Sequence, residues 1–301
     1  MRRGVCLVAA LTATLAVAVT GLLPSTATAA KSEGKSLVTL GDSFAANGLR
    51  WESTDPNCAH GPSSWPTQLG QRMGLADNDI ADVTCPGSTI DSGVGWWLVH
   101  ETRAADKQGA FGPKTRLVTI QTGMNDQWGS STQSLYPALR TCVFDFTAGC
   151  GPEAAEQGRM TDYRGVSGTE YAERIREVVT YVRHFAPRAR IVLVGYPELF
   201  PAGQDSVCVD VLGVGQVVQP RGEAVIEYLD RLDAAQRAAA ALLRIDFFDT
   251  RAITEGHGLC SDQPWLNGVF DPRADFVGIP FHPSAHGDAV VADALYERFG
   301  R

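Results

Sequence analysis

The sequence predicts an α/β fold: a parallel sheet of five strands with helices on both faces, a three-layer α/β/α sandwich. Three observations predict it. Short apolar runs alternate with longer segments whose apolar residues recur about every three to four positions. The richest runs, "RLVTIQ" and "RIVLVG", are dense in β-branched residues and lack polar alternation, as in strands buried on both faces. Glycines (Gly41, Gly87 and Gly123) follow the first three runs, where an open parallel sheet gathers its functional loops.

The elements follow in order. Arg2 and Arg3 precede an apolar stretch from Val5 to Leu23, and Ala27-Thr28-Ala29 is a small-x-small cleavage signal. Residues 1–30 therefore read as a secretory signal peptide, with retention as a membrane anchor as the alternative. No later run approaches the ~20 apolar residues of a membrane span. Residues 31–301 read as a single domain. Ser36–Leu40, Ile80–Thr84, Arg116–Gln121, Arg190–Gly195 and Arg244–Phe248 are the candidate strands. Helices are expected at Ser64–Arg72, at Thr169–Ala186, where Tyr171, Ile175, Val178, Val179, Val182 and Phe185 make one stripe, at Gly222–Leu243 and at Ser284–Phe299. Residues 127–167, rich in Gly, Ser, Thr and Pro, read as an inserted excursion, a rim or lid over the strand ends.

Loss of the signal peptide takes the formal charge from −8 to −10. An acidic exported protein without a basic cluster is a poor partner for nucleic acid or an anionic membrane surface. Six cysteines remain beyond Cys6 (Cys58, Cys85, Cys142, Cys150, Cys208 and Cys260), an even number that in an oxidising compartment implies three disulfides. The 15 possible pairings are not separated by spacing alone. No C-x-x-C pair occurs, which argues against zinc.

Four short motifs carry chemistry. "LVTLGDSFAANG" ends a strand in Gly41-Asp42-Ser43. Cys85-Pro86-Gly87-Ser88 follows the second strand and Gly123-Met124-Asn125-Asp126 the third. "IPFHPSAHG" brings His282 near the C-terminus. Each is weak alone. In this order, on strand-end loops, they resemble the SGNH hydrolases, the GDSL esterase/lipase family, from Leu37 to the end of the chain. The G-x-S-x-G pentapeptide of α/β-hydrolases is absent around Ser43.

The resemblance implies a flavodoxin-like SGNH hydrolase fold and a secreted serine esterase or lipase that works without cofactor or metal, as a monomer, on a small-molecule or lipid ester. Ser43 would be the nucleophile and His282 its base. The N–H groups of Ser43 and Gly87 and the Asn125 amide would form the oxyanion hole. Secreted actinobacterial members are similar in pairing six cysteines as neighbours, which implies Cys58–Cys85, Cys142–Cys150 and Cys208–Cys260. The family usually places Asp three residues before the histidine; here Ile279 stands there. Relatives that use a main-chain carbonyl at that position imply that Ile279 orients His282, with Asp271 or Asp275 as alternatives. His286 is a competing base or, by its i+4 spacing, a metal ligand, although Pro283 opposes a shared helical face. Asp42 and Asp126 read as loop-shaping residues. Trp96, Trp97, Trp128, Phe281 and the 197–200 segment would line an acyl pocket or pack in the core. Two other functions stay open: deacetylation of an extracellular polysaccharide, and an inactive module that binds acyl chains or glycans. Localisation is expected to be extracellular, with membrane or cell-wall association as the alternative.

Overall fold

A computed structural model describes residues 32–49, 58–93 and 95–301. The signal peptide expected at 1–30 lies outside them. Ser32–Arg301 forms one compact unit. Its strands are β1 (Leu37–Gly41), β2 (Ile80–Asp82), β3 (Leu117–Gln121), β4 (Arg190–Val194), β5 (Val207–Val211), β6 (Gly215–Gln219) and β7 (Asp246–Phe248). Its helices are α1 (Ser43–Ala46), α2 (Trp65–Arg72), α3 (Leu98–Lys107), α4 (Leu135–Phe144), α5 (Glu153–Glu156), α6 (Gly168–Phe185), α7 (Glu223–Leu243), α8 (Thr250–Ile253) and α9 (Ala285–Leu295). No helix among the described residues is long and apolar enough to cross a membrane.

Five strands form one parallel sheet in the order β2-β1-β3-β4-β7. Because side chains alternate across a strand, each central strand feeds two cores. Val38 and Leu40 of β1, Val118 and Ile120 of β3, and Ile191 and Leu193 of β4 pack on one side, with the buried stripes of α6 and α7. Leu37, Leu117, Val192 and Val194 pack on the other, against Trp65 and Leu69 of α2 and Val291 and Leu295 of α9. This is why the strand sequences lack polar alternation: both faces are dry, and the three-layer fold follows.

The expected helices are present to within a residue or two, except that the last turn of the final one widens to a π-helix over Tyr296–Gly300. In α6, Tyr171, Ile175, Val178, Val179 and Val182 are buried, whereas Phe185 ends the stripe partly exposed. Several elements were not anticipated, among them the one-turn helices α1 and α8. Helix α3 follows the second strand, α4 and α5 occupy the 127–167 excursion, and β5 and β6 form a separate antiparallel hairpin. The cysteines pair as Cys58–Cys85, Cys142–Cys150 and Cys208–Cys260. The second bridge closes the end of α4 and the third ties β5 to the loop after α8.

Candidate active site

The site is assembled at the carboxyl edge of the sheet. β1 ends at Gly41, and the Asp42 N–H donates to the Gln121 carbonyl of β3 at 3.0 Å, so the turn leaves the sheet at a fixed height. Asp42 caps the short helix α1 by accepting from the Phe44 N–H at 2.9 Å. Ser43 is the first residue of that helix and is half-buried. Beyond β2 the chain keeps running beside β1, with the Cys85 N–H donating to the Gly41 carbonyl at 2.8 Å. That delivers Gly87 to the turn carrying Ser43.

His282 closes the arrangement from the opposite end of the chain. Its Nε2 lies 2.7 Å from Ser43 Oγ, and its Nδ1 lies 3.0 Å from the Pro280 carbonyl. A carbonyl only accepts, so Nδ1 carries the proton, and Nε2 offers its lone pair to the serine hydroxyl. The ring is 2% exposed and stacks on Phe44 with centroids 4.4 Å apart. Burial pushes its pKa down from 6.5 to about 4, against a smaller upward effect of the Pro280 carbonyl. The imidazole is thus neutral at pH 7 and able to take a proton.

The orienting carbonyl is Pro280's, and not that of Ile279 as expected. The Ile279 carbonyl is already occupied in a turn by the His282 N–H at 3.1 Å. Phe281 adopts a left-handed backbone (φ 68°), which swings the Pro280 carbonyl back onto the ring of the residue two places on. Such a conformation costs a non-glycine residue about 1 kcal/mol or more and needs support. Asn267 supplies it. The Phe281 N–H donates to the Asn267 carbonyl (2.7 Å), the Asn267 N–H to the His282 carbonyl (2.8 Å), and Asn267 Nδ2 to the Pro283 carbonyl (3.0 Å). Neither acidic alternative reaches the ring: Asp271 pairs with Arg273, and Asp275 accepts from the Ala285 N–H at 2.7 Å. His286 is exposed and stands edge-on to Trp265, away from the hydroxyl.

The other expected residues converge on the same edge. Neither the Ser43 nor the Gly87 N–H has an acceptor among the described residues. Gly87 has φ 81°, and a Cβ there would meet no atom within 4 Å, so its glycine is required by backbone direction and not by crowding. Asn125 Nδ2 donates to the Ser88 carbonyl at 3.2 Å, leaving its second N–H uncommitted. A hydroxyl, a neutral imidazole acceptor and uncommitted donors are the groups that let an oxygen attack an acyl carbon and stabilise the resulting oxyanion.

Asp126 is a loop strut, as expected. Its carboxylate accepts from the Ile90 N–H (3.1 and 2.9 Å) and the Ser92 hydroxyl (2.8 Å), and pairs with Arg174 of α6. Burial pushes its pKa up despite that arginine. Asp42 is also structural: Tyr196 donates to its Oδ2 at 2.5 Å while accepting from the Met124 N–H at 3.1 Å, which ties the β1, β3 and β4 loops together. Burial raises the Asp42 pKa to about 7, against the Tyr196 and Phe44 hydrogen bonds. Tyr196 was missed by the sequence reading, as were Asn267 and Glu101. Glu101 Oε2 accepts from the Gly41 N–H at 2.8 Å, and burial holds its carboxyl well above the usual range. An acid in a helical stretch gives no sign that it will be buried. Trp128 is core, stacked on Tyr171 with its N–H on the Gly123 carbonyl, and Leu199 and Phe200 are buried as well.

A cleft of about 590 Å³ opens beside the histidine, lined by Tyr136, Arg140 and Phe144 of α4 and by Val269, Pro280 and Phe281. Tyr136 meets the His282 ring edge-on at 5.5 Å. The excursion is therefore a wall of the cleft.

Residues 39–290 match the model of the GDSL-like lipase/acylhydrolase family. Lipase 2 of Streptomyces coelicolor is 25% identical over 311 residues, covering 100% of this chain and 98% of its own. A lipase of Streptomyces rimosus is 24% identical over 255 residues, covering 84% and 82%. The solved structure of phospholipase A1 from Streptomyces albidoflavus NA297 is similar with TM-score 0.61 and 22% identity, covering 88% of this chain and 99% of that one. The extracellular lipase of Streptomyces rimosus gives TM-score 0.60 and 18% identity, with 88% and 100% covered. The fold, the order of the motifs and these matches agree: the chain belongs to the GDSL-like lipase/acylhydrolase (SGNH) family of carboxylic ester hydrolases.

Proposed function

We propose that this protein is a secreted esterase or lipase that hydrolyses acyl esters through an acyl-enzyme on Ser43. The observation that carries the reading is the 2.7 Å contact between Ser43 Oγ and the deprotonated nitrogen of a buried, neutral His282. As Oγ attacks the ester carbon, Nε2 takes its proton. The imidazolium then returns it to the leaving alcohol, and water repeats the cycle on the acyl-serine. The Ser43 and Gly87 N–H groups and Asn125 Nδ2 receive the oxyanion of both tetrahedral intermediates. The Pro280 carbonyl holds the tautomer but brings no charge, so the imidazolium is stabilised less than it would be by a carboxylate. The apolar walls of the cleft suit an acyl chain, and the names of the Streptomyces relatives point the same way. Export is supported by the sequence of residues 1–30 and by three disulfides.

Hydrolysis of p-nitrophenyl esters of graded chain length, with a fluorophosphonate as covalent probe, tests this. Turnover and labelling are expected in the wild type and neither in Ser43→Ala. Labelling that survives the substitution moves the nucleophile elsewhere, and activity confined to acetate moves the substrate to acetylated glycans.

A further inference from the structure

Ester hydrolysis at Ser43 leaves unexplained where the exposed apolar side chains lie. Eight of the eleven large hydrophobic side chains exposed among the described residues fall on three segments, 144–146, 212–218 and 270–277. The first reaches the cleft beside His282, the third lies between stretches that line it, and the 212–218 segment is bonded to the cleft residue Val269. Phe144 lines the cleft, Val269 lines it just before the third segment, and Pro280 and Phe281 line it just after. The segments are joined to one another. Gln219 Nε2, at the end of β6, donates to the Cys142 carbonyl (3.2 Å) and the Asp145 carbonyl (2.9 Å). The Leu212 N–H donates to the Val269 carbonyl at 3.0 Å, and the Phe270 and Phe276 rings are 6.0 Å apart. Phe146 is 65% exposed and Val214 72%. Soluble proteins rarely gather such side chains around one opening unless the opening meets an apolar partner.

The charges of this rim narrow the partner. Arg273 is engaged by Asp271 at 2.7 Å and by Asp210. Asp145 accepts the N–H groups of Thr147 (3.1 Å) and Ala148 (2.9 Å), and Asp275 accepts the Ala285 N–H. Arg140, which lines the cleft, has no carboxylate partner among the described residues. Among the described residues, the rim is therefore an apolar surface whose charges are satisfied internally except for Arg140 at the cleft.

We propose that this rim seats the protein on the surface of an aggregated lipid bearing phosphate headgroups. Phe144, Phe146, Val214, Phe270 and Phe276 enter the apolar boundary, Arg140 meets a phosphate, and an acyl chain passes from the lipid into the cleft. The proposal rests on the ester-hydrolase reading above, because that reading makes the cleft the destination of an acyl chain. A second copy of this chain is the competing occupant, but without the signal peptide it would bring a net charge of −10 against itself.

The test uses a triple variant, Phe146→Ser with Val214→Ser and Phe276→Ser, at exposed positions that do not line the cleft. Wild type is expected to cosediment with phosphatidylcholine vesicles. The triple variant is expected to bind them roughly tenfold or more weakly, with melting temperature unchanged. Arg140→Gln is expected to weaken binding to those vesicles and not to a triacylglycerol emulsion, which carries no phosphate. A wild type that stays in the supernatant overturns the proposal, as does a correctly folded triple variant that binds undiminished. Equal losses of Arg140→Gln on both lipids overturn the phosphate contact. A dimer in sedimentation equilibrium that the triple variant dissociates gives the rim to a second copy instead. Wild type that binds vesicles but turns over no dissolved p-nitrophenyl butyrate keeps the docking surface and removes the esterase reading.

Discussion

The His282 ring is poised by what it lacks. Among the described residues no carboxylate faces Nδ1, and burial disfavours the charged ring, so its pKa lies at about 4 and not 6.5. The unfolded chain takes up this proton as pH falls through 6.5, while the folded protein refuses it until about 4. His282 therefore contributes stability that is present above the upper value and lost as pH falls between the two. Asp42 works in the opposite sense. Its pKa is raised from 3.8 to about 7, so it favours the folded state most at low pH and loses that effect as pH rises through about 7. In the proposed mechanism the ring decides activity. kcat/KM on a dissolved ester should hold on acidification from about pH 7 to below 6 and fall only toward about pH 4, where the free enzyme protonates. A half-fall near 6.5 in a stopped assay would mean that water reaches the ring.

At the scale of elements, the segment from Asn267 to Pro283 decides whether the ring points at Ser43. Asn267 is 1% exposed and uses backbone and side chain together to hold a left-handed Phe281. Asn267→Ala should cost on the order of 1 kcal/mol in denaturant unfolding, because it removes the side-chain bonds to the Pro283 carbonyl and from the Asp275 N–H while the main-chain bonds remain. It should also lower kcat more than it raises KM, since orientation and not substrate binding is lost. A change confined to KM would free the segment of that role. The elements differ in how legible they were. Helix α6 announces itself by a stripe ending at Pro187, and the sheet strands by dense β-branched runs. The β5–β6 hairpin left a fainter mark: Val207, Val209 and Val211 alternate with Cys208 and Asp210 before a turn containing Gly213, a pattern that escapes a search for fully apolar runs. Helix α4 has helical spacing at Leu135, Ala138, Leu139, Cys142 and Val143, but flanking Ser, Thr and Gly residues disguise it as loop.

For the whole molecule, the alternation of strands and helices settled the fold class, and a parallel sheet obliges the strand-end loops to meet on one edge. That is why the Ser43, Gly87, Asn125 and His282 loops were expected together. The acceptor for Nδ1 was not readable, because it depends on the direction of one carbonyl and no side-chain identity records that. The three disulfides act at this scale too. Two of them, Cys142–Cys150 and Cys208–Cys260, brace segments flanking the cleft. Reduction under native conditions should lower unfolding stability by about 2–5 kcal/mol per bridge lost, with no thiol titrating beforehand. Free thiols among these six cysteines in the native protein would contradict the pairing.

The Pro280 carbonyl that steadies the imidazole has a genetic corollary. Point mutation rewrites side chains and leaves every peptide oxygen in place, so no single codon change deletes this acceptor as it would delete an aspartate. The orientation of His282 is vulnerable only to changes that redirect the main chain around Phe281, and drift among the neighbouring acidic residues passes it by.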